Sequence, residues 1–459
     1  MDLASQRFMK ERPVLPLVIS MALPMTLSML VSALYNIVDS YFVASMSEAA
    51  MTALSLVYPL QNLVVAVLVG FGVGTNAMIA YYLGARDGEN AERCASLGLA
   101  LSTLHGVLLT AFCLFITPHF LALFTADETT LSLGTQYANV VFWFTIPNAV
   151  AIAYEKTFQA VGRMKVSMLC MGLGCVVNIL LDPLMIFGLG PFPAMGMRGA
   201  ALATGIGQTA ALAAYLLIDR VKPLAVRVRI RSMAPRRELC KKLYGIGIPS
   251  TLSMALPSVQ ISALNAILSG FGAGYVLVLG AYFKLQSFLY MTANGVVQGM
   301  RPLVAYNHGA GESGRVKKIL GAALGIIALV MAVGTVLCLA VPGALIGLFT
   351  ENAETIALGR GALRIICLGF LVSAVSLAVS GAFEGLGRGD RSLVISVLRY
   401  IVPLLPLAWA LSRALGAAGV FHAFWITELL GAAVSWLLWR RQELHLAFAA
   451  SGADGETCG

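Results

Sequence analysis

The sequence predicts an all-α integral membrane protein: twelve transmembrane helices in two parallel six-helix lobes, related by a pseudo-twofold along the membrane normal. Three observations carry this. The 459 residues are 59% hydrophobic and only 12% charged, with a mean hydropathy of +0.84, outside the usual range of soluble domains. Apolar stretches of roughly 20 residues, enough to cross a bilayer core, recur with short polar breaks. The chain also repeats itself: displaced by 225 residues, Pro24-Met-Thr-Leu-Ser-Met29 falls on Pro249-Ser-Thr-Leu-Ser-Met254.

Each span has its own signal. The first, 14–42, follows polar residues 1–12 and carries Pro24, with no short apolar core and cleavage site of a signal peptide. The second, 52–80, holds Leu60-Gln61, Gly70 and Gly74, which reappear as Leu285-Gln286, Gly295 and Gly299 in the eighth, 276–300. The third, 94–117, leads through Leu123-Phe-Thr125 to the fourth, 134–154; Leu348-Phe-Thr350 separates the ninth, 319–342, from the tenth, 360–382. Phe158, Gly162, Arg163 and Ser167 open the fifth, 166–188, and match Phe383, Gly387, Arg388 and Ser392 before the eleventh, 392–411. Gly196 and Gly199 start the sixth, 197–219; after a five-residue loop difference Gly416 and Gly419 start the twelfth, 417–439. The seventh, 241–268, repeats the first. Six spans per repeat is an even number, so both repeats enter from one side. The expected domains are an amino lobe 1–218, a basic linker 219–242 with Pro223 and Pro235, a carboxy lobe 243–448, and a disordered polar tail 449–459.

Lys and Arg set the orientation. Arg7, Lys10 and Arg12 precede the first span, and the joint from Arg220 to Lys242 holds nine Lys and Arg, whereas 44–51, 118–133, 269–275 and 343–358 have none. The positive-inside rule puts both termini in the cytoplasm. The net charge of +9 then faces an anionic leaflet rather than nucleic acid. No Gly-x4-Gly-Lys-[Ser/Thr] loop is present, and Gly70-Phe-Gly72-Val-Gly74 reads as close helix packing. The five histidines form no metal motif and the eight cysteines no disulfide framework. No enzyme, cofactor or structural metal is expected.

Charges inside the spans are the functional signal, because a carboxylate at a helix centre costs about 2.5–3.5 kcal/mol on insertion scales. Asp39 lies in the first span with Tyr35 one turn before it, and Asp182 in the fifth with Asn178 one turn before it and Pro183 after it. The second repeat has Leu264 and Leu407 at these positions, so the scaffold does not need the acids. Two acids in one cavity repel, and the cavity then recruits H⁺ or Na⁺; the plainer reading has Asp39 capping the outer helix end in interfacial water. The second repeat carries Lys284 and Arg399 instead, as substrate contacts, gates or, for Lys284, a snorkelling cation. Gln61 and Gln286 read as hydrogen-bonding groups between helices first and ligand contacts second. Glu155, Arg301 and Glu384 fall near inner helix ends and are expected at the interface.

At these residues the chain resembles the multidrug and toxic compound extrusion (MATE) family over nearly its whole length. The resemblance rests on Tyr35-Asn-Ile-Val-Asp39-Ser-Tyr-Phe-Val43, Phe158-Gln-Ala-Val-Gly162, Asn178-x3-Asp182-Pro183, Gly199-Ala-Ala-Leu-Ala-Thr204, and Gln298-Gly-Met-Arg-Pro302 through Tyr306-Asn307-His-Gly309-Ala310. Tyr282-Phe-Lys284-Leu-Gln286-Ser-Phe288 is similar to its bacterial MepA-like branch. The resemblance implies a V-shaped pair of bundles exporting small amphipathic, cationic drugs by H⁺- or Na⁺-coupled antiport, as a monomer. It implies a cation site of Asp39, Asn178, Asp182 and Thr204 with Tyr35 beside it, and bending of the first helix at Pro24. Glu384 departs from the family's usual Gln before the Gly-x-Gly turn. Some members have an acidic site in the carboxy lobe; the matching helices here are expected to offer no deep carboxylate. The competing reading is a flippase for a lipid-linked saccharide, which calls for a broad cationic cavity.

Overall fold

The computed structural model describes residues 6–455, except the side chains of 230 and 445–455. Among the described residues, twelve helices are long and apolar enough to cross a membrane. They are α1 (Val14–Ala44), α2 (Glu48–Gly84), α3 (Gly88–Ala122), α4 (Glu128–Ala160), α5 (Met164–Phe187) and α6 (Met197–Val221). The second set is α7 (Arg237–Ser269), α8 (Ala273–Gly309), α9 (Ser313–Ala340), α10 (Ala353–Gly385), α11 (Gly389–Leu415) and α12 (Ala417–Gly455). Several outrun the apolar spans, because a helix ends where its termini are capped, not where the hydrocarbon ends. Ser47, for instance, accepts from the Ala50 amide at 3.0 Å and starts α2 four residues early. α12 continues to Gly455, so helix replaces most of the tail expected to be disordered from 449; 456–459 lie outside the described residues.

The repeat is visible in detail. The matched Leu-Phe-Thr segments cap α4 and α10 alike. Asp127 accepts from the Thr130 amide at 2.8 Å and Asn352 from the Thr355 amide at 3.2 Å, while the Asp127 and Asn352 amides donate to Thr125 and Thr350 at 3.1 and 3.2 Å. Both helices tighten into a 3₁₀ turn at matched places, Phe142–Phe144 and Cys367–Gly369. One difference matters later. α5 is continuous, but α11 breaks into Gly389–Tyr400 and Leu404–Leu415 around a turn at 401–403, where Pro403 cannot continue the ladder.

The chain forms two compact units, and they are not its two halves. One holds 27–251; the other holds 8–26 and everything from Leu252 onward. The start of α1 thus belongs with the second repeat and the start of α7 with the first. The repeat-matched glycines permit this. In the first unit a Cβ on Gly70 would stand 2.6 Å from the Thr251 nitrogen; in the second, a Cβ on Gly295 would stand 2.7 Å from the Thr26 nitrogen. Gly299 likewise leaves room for Ala22, whose nitrogen would lie 2.6 Å from an added Cβ. Pro24 sits within an unbroken α1, just before the residue at which that helix changes unit.

The expected linker lies along the first unit. Leu224 and Val226 are buried, Arg163 donates to the Lys222 carbonyl at 2.7 Å, and the Arg229 amide donates to Ser96 Oγ at 2.9 Å. Leu104, Leu108, Phe112 and Phe115 leave one stripe of α3 exposed, as lipid contact requires.

Candidate functional site

In the first unit, α5 and α6 meet at glycines: a Cβ on Gly174 would stand 2.8 Å from the Gly207 carbonyl, and one on Gly207 3.1 Å from Asn178 Cβ. This approach brings Asn178 Nδ2 to 3.3 Å from Thr204 Oγ1, while the same amide reaches Asp182 Oδ1 at 3.4 Å along its own helix. The Tyr35 hydroxyl on α1 hydrogen-bonds Thr204 as well, and Tyr35 lies within electrostatic range of both Asp39 and Asp182. The two carboxylates also act on each other electrostatically. Asp182 is 0% and Asp39 7% exposed, which rules out a cap in interfacial water for Asp39. Asp39 Oδ1, Asp182 Oδ2 and Asn178 Oδ1 are buried without a hydrogen-bond partner. Buried polar atoms are normally satisfied. The three orphaned oxygens, two of them on the acids themselves, leave this buried cluster short of positive charge and of hydrogen-bond donors.

Sequence reading missed Tyr137, which is buried on α4, accepts from Gln61 Nε2 at 3.2 Å and hydrogen-bonds Thr204. It gave no signal, because a tyrosine in an apolar run is ordinary core. Gln61 thus bridges α2 and α4, as expected. Gln286 has no such partner, since position 137 maps to Ala362. Tyr137→Phe is expected to lower stability by about 1 kcal/mol, the net value of a typical hydrogen bond, read as a melting shift in detergent.

The second unit fills the equivalent space with rings: Phe424 stands where the first has Thr204 and packs edge-on against Tyr282 at 5.3 Å. Arg399 is buried rather than facing a cavity, and it is paired. Its partner is Glu428 on α12, with N···O distances of 2.8 and 3.0 Å. The expectation of no deep carboxylate concerned only the helices matching the family's acidic carboxy-lobe site and did not single out Glu428, which puts a paired carboxylate inside α12. Glu428 lies in Trp425-Ile-Thr-Glu428-Leu-Leu, and an acid inside an apolar run was the same signal that marked Asp39. Lys284 is no part of this cluster; it is exposed, with Nζ 5.6 Å from the Phe349 ring.

The inner helix ends also differ from expectation. Glu155, Arg301 and Glu384 are each only 8% exposed. Glu155 holds Lys156 at 2.7 Å and Gln159 at 2.7 Å; Arg301 holds Glu384 at 2.5 Å, and Ser392 donates to Glu384 at 3.1 Å. They are buried because each has a partner within its own lobe. Among the described residues no three His, Cys, Asp or Glu could hold a metal together.

Comparison with known proteins agrees with this architecture. The multidrug export protein MepA of Staphylococcus aureus (strain MRSA252) is 26% identical over 436 residues, 94% of each chain. MepA of Staphylococcus saprophyticus is 25% identical over 422 residues, 91% of each. An outward-facing multidrug resistance MATE family transporter of the MOP superfamily superposes with a TM-score of 0.88 at 25% identity, covering 94% of this chain and 96% of that one. A MOP superfamily transporter from Pyrococcus furiosus, described as having a binding pocket of reverse polarity, gives 0.89 at 24% identity over 96% and 98%. The MatE family profile matches residues 24–184 and again 249–410. Because those two matches take in both repeats and most of the sequence, the chain belongs to the MatE family, whose members are membrane transporters and not enzymes.

Proposed function

We propose that this chain is a secondary antiporter, driven by H⁺ or Na⁺, that exports amphipathic and cationic drugs by alternating access. The observation that carries the reading is the Asp39–Asp182 pair: two mutually repelling carboxylates, desolvated, with orphaned oxygens. Such a pair gains free energy on taking up a positive charge, and that gain is what couples an ion gradient to a conformational change. Tyr35, Asn178 and Thr204 supply neutral oxygens and hold the two acids on three helices. Arrival of the ion relieves the repulsion, lets α1 repack against α5 and α6 with Pro24 as its hinge, and expels the drug. Similarity to the multidrug export protein MepA supports export as the direction and drugs as the cargo.

The chain is proposed to work as a monomer in a bacterial inner membrane, with both termini cytoplasmic. The flippase reading is not favoured, since Arg399, the buried cation it would need for a diphosphate, is already bound to Glu428. The test is drug uptake into inverted proteoliposomes, first with a pH gradient alone and then with a sodium gradient alone. One of the two is expected to drive uphill accumulation. If neither does, the antiport reading is lost.

A further inference from the structure

The carboxy lobe holds a carboxylate whose situation is the reverse of the amino-lobe pair. Glu428 lies well inside α12, where an unpaired acid is costly, yet both its oxygens are taken by one guanidinium. Arg399 Nε donates to Oε2 at 3.0 Å and Nη2 to Oε1 at 2.8 Å. Nη2 also donates to Tyr290 Oη at 3.3 Å, and Tyr290 donates on to Ser373 Oγ at 3.0 Å. The guanidinium carbon lies 5.2 Å from the Tyr400 ring and 5.7 Å from the Tyr290 ring. The two side chains are 4% and 15% exposed.

The fold is cut to fit this pair. A Cβ on Gly431 would stand 3.1 Å from Arg399 Cγ, and one on Gly369 3.4 Å from Glu428 Cγ. Gly369 ends the 3₁₀ turn in α10, and Arg399 lies in the last helical turn before the break in α11 at 401–403. Interrupted helices around a buried charge are how transporters build ion sites. The amino lobe leaves oxygens free beside its acids; here none of the acid's oxygens is free.

We propose that Arg399 is a tethered cation: it occupies, as part of the chain, the position a free monovalent cation would take at Glu428 with Tyr290 as a neutral oxygen ligand. The carboxy lobe then carries its charge compensation through every cycle, and only the amino lobe exchanges an ion. The site itself is a latent monovalent-cation site that the arginine keeps filled. The titratable groups around Glu428 are Arg399 and Tyr400 from α11, Tyr282 and Tyr290 from α8 and Cys338 from α9; the Ser373 hydroxyl from α10 does not titrate.

The consequence for transport rests on the antiport reading above, so the test reads folding instead. Purified Arg399→Leu is expected to yield about tenfold less monodisperse protein than the parent at pH 8 in a sodium-free buffer, because it strands a buried charge. Moving to pH 5, or adding NaCl in place of a choline salt, is expected to restore it, the free cation replacing the tethered one. Adding Glu428→Gln to Arg399→Leu is expected to remove that dependence, and Arg399→Lys to show none. The test is run with Asp39→Asn and Asp182→Asn in every variant, so amino-lobe ion binding cannot mimic the rescue. Rescue of Arg399→Leu alone by sodium supports the tethered cation. Rescue by acid alone, which any stranded buried glutamate would show, or by neither acid nor sodium overturns the proposal, and does so whether or not the chain transports drugs.

Discussion

Asp182→Asn is expected to cut uphill drug export roughly 100-fold while leaving the protein at least as stable as the parent. The first number follows from the coupling free energies of 1–3 kcal/mol, or 5–150-fold, that link two sites; without the charge, ion binding no longer differs between conformations. The second follows from burial. Asp182 is fully buried, with one oxygen lacking a partner, and removing an uncompensated buried charge relieves a cost of about 2.5–3.5 kcal/mol on insertion scales. Asparagine keeps the oxygen that accepts from Asn178, so the helix contact survives. A residue that merely held α5 in place would behave the other way, losing stability and activity together. Export at the parental rate, measured in proteoliposomes under an imposed gradient, sinks the coupling role.

Gly70→Val and Gly295→Val are expected to destabilise the protein by about 3 kcal/mol each, at the upper end of overpacking costs. Both glycines lie against the Oγ1 and the backbone of a threonine, Thr251 and Thr26 respectively, so turning the side chain away still leaves the backbone in the way. The whole of α7 or α1 must then move outward. Thermal unfolding in detergent reads the loss. Gly245→Ala is the control on α7: nothing stands within 4 Å of a Cβ there, and alanine favours a helix by up to about 1 kcal/mol. Parental melting of Gly70→Val contradicts the close crossing.

Much of this molecule is legible from local pattern, and the parts that are not share a cause. Twelve apolar runs sufficed for the helices, because hydrocarbon imposes length and composition on every span. Asp39 and Asp182 stood out because their cost is intrinsic to the residue type, whatever surrounds them. Tyr137 did not, since only its hydroxyl's neighbours distinguish it from core. Glu428 was findable on the same grounds as Asp39 and was overlooked; Arg399 alone gave no hint that it was already neutralised. Glu155, Arg301 and Glu384 were misjudged for a related reason: nearness to a helix end says nothing about whether a partner waits there. Which repeat the start of α1 packs against is not encoded in its own periodicity. The signal existed elsewhere, in Gly70 and Gly74 and their counterparts, whose purpose emerges only with the crossing helix beside them.

The exchange of helix segments has a consequence for how the protein is made. When the ribosome has completed α6, the first bundle still lacks 237–251, and 8–26 has no companions at all, because those lie in sequence not yet translated. Neither bundle can mature as a separate translation product. The insertion machinery must shelter a gap along Gly70 and Gly74 until α7 arrives, and the amino-terminal end of the first helix finds its place only when α8 follows.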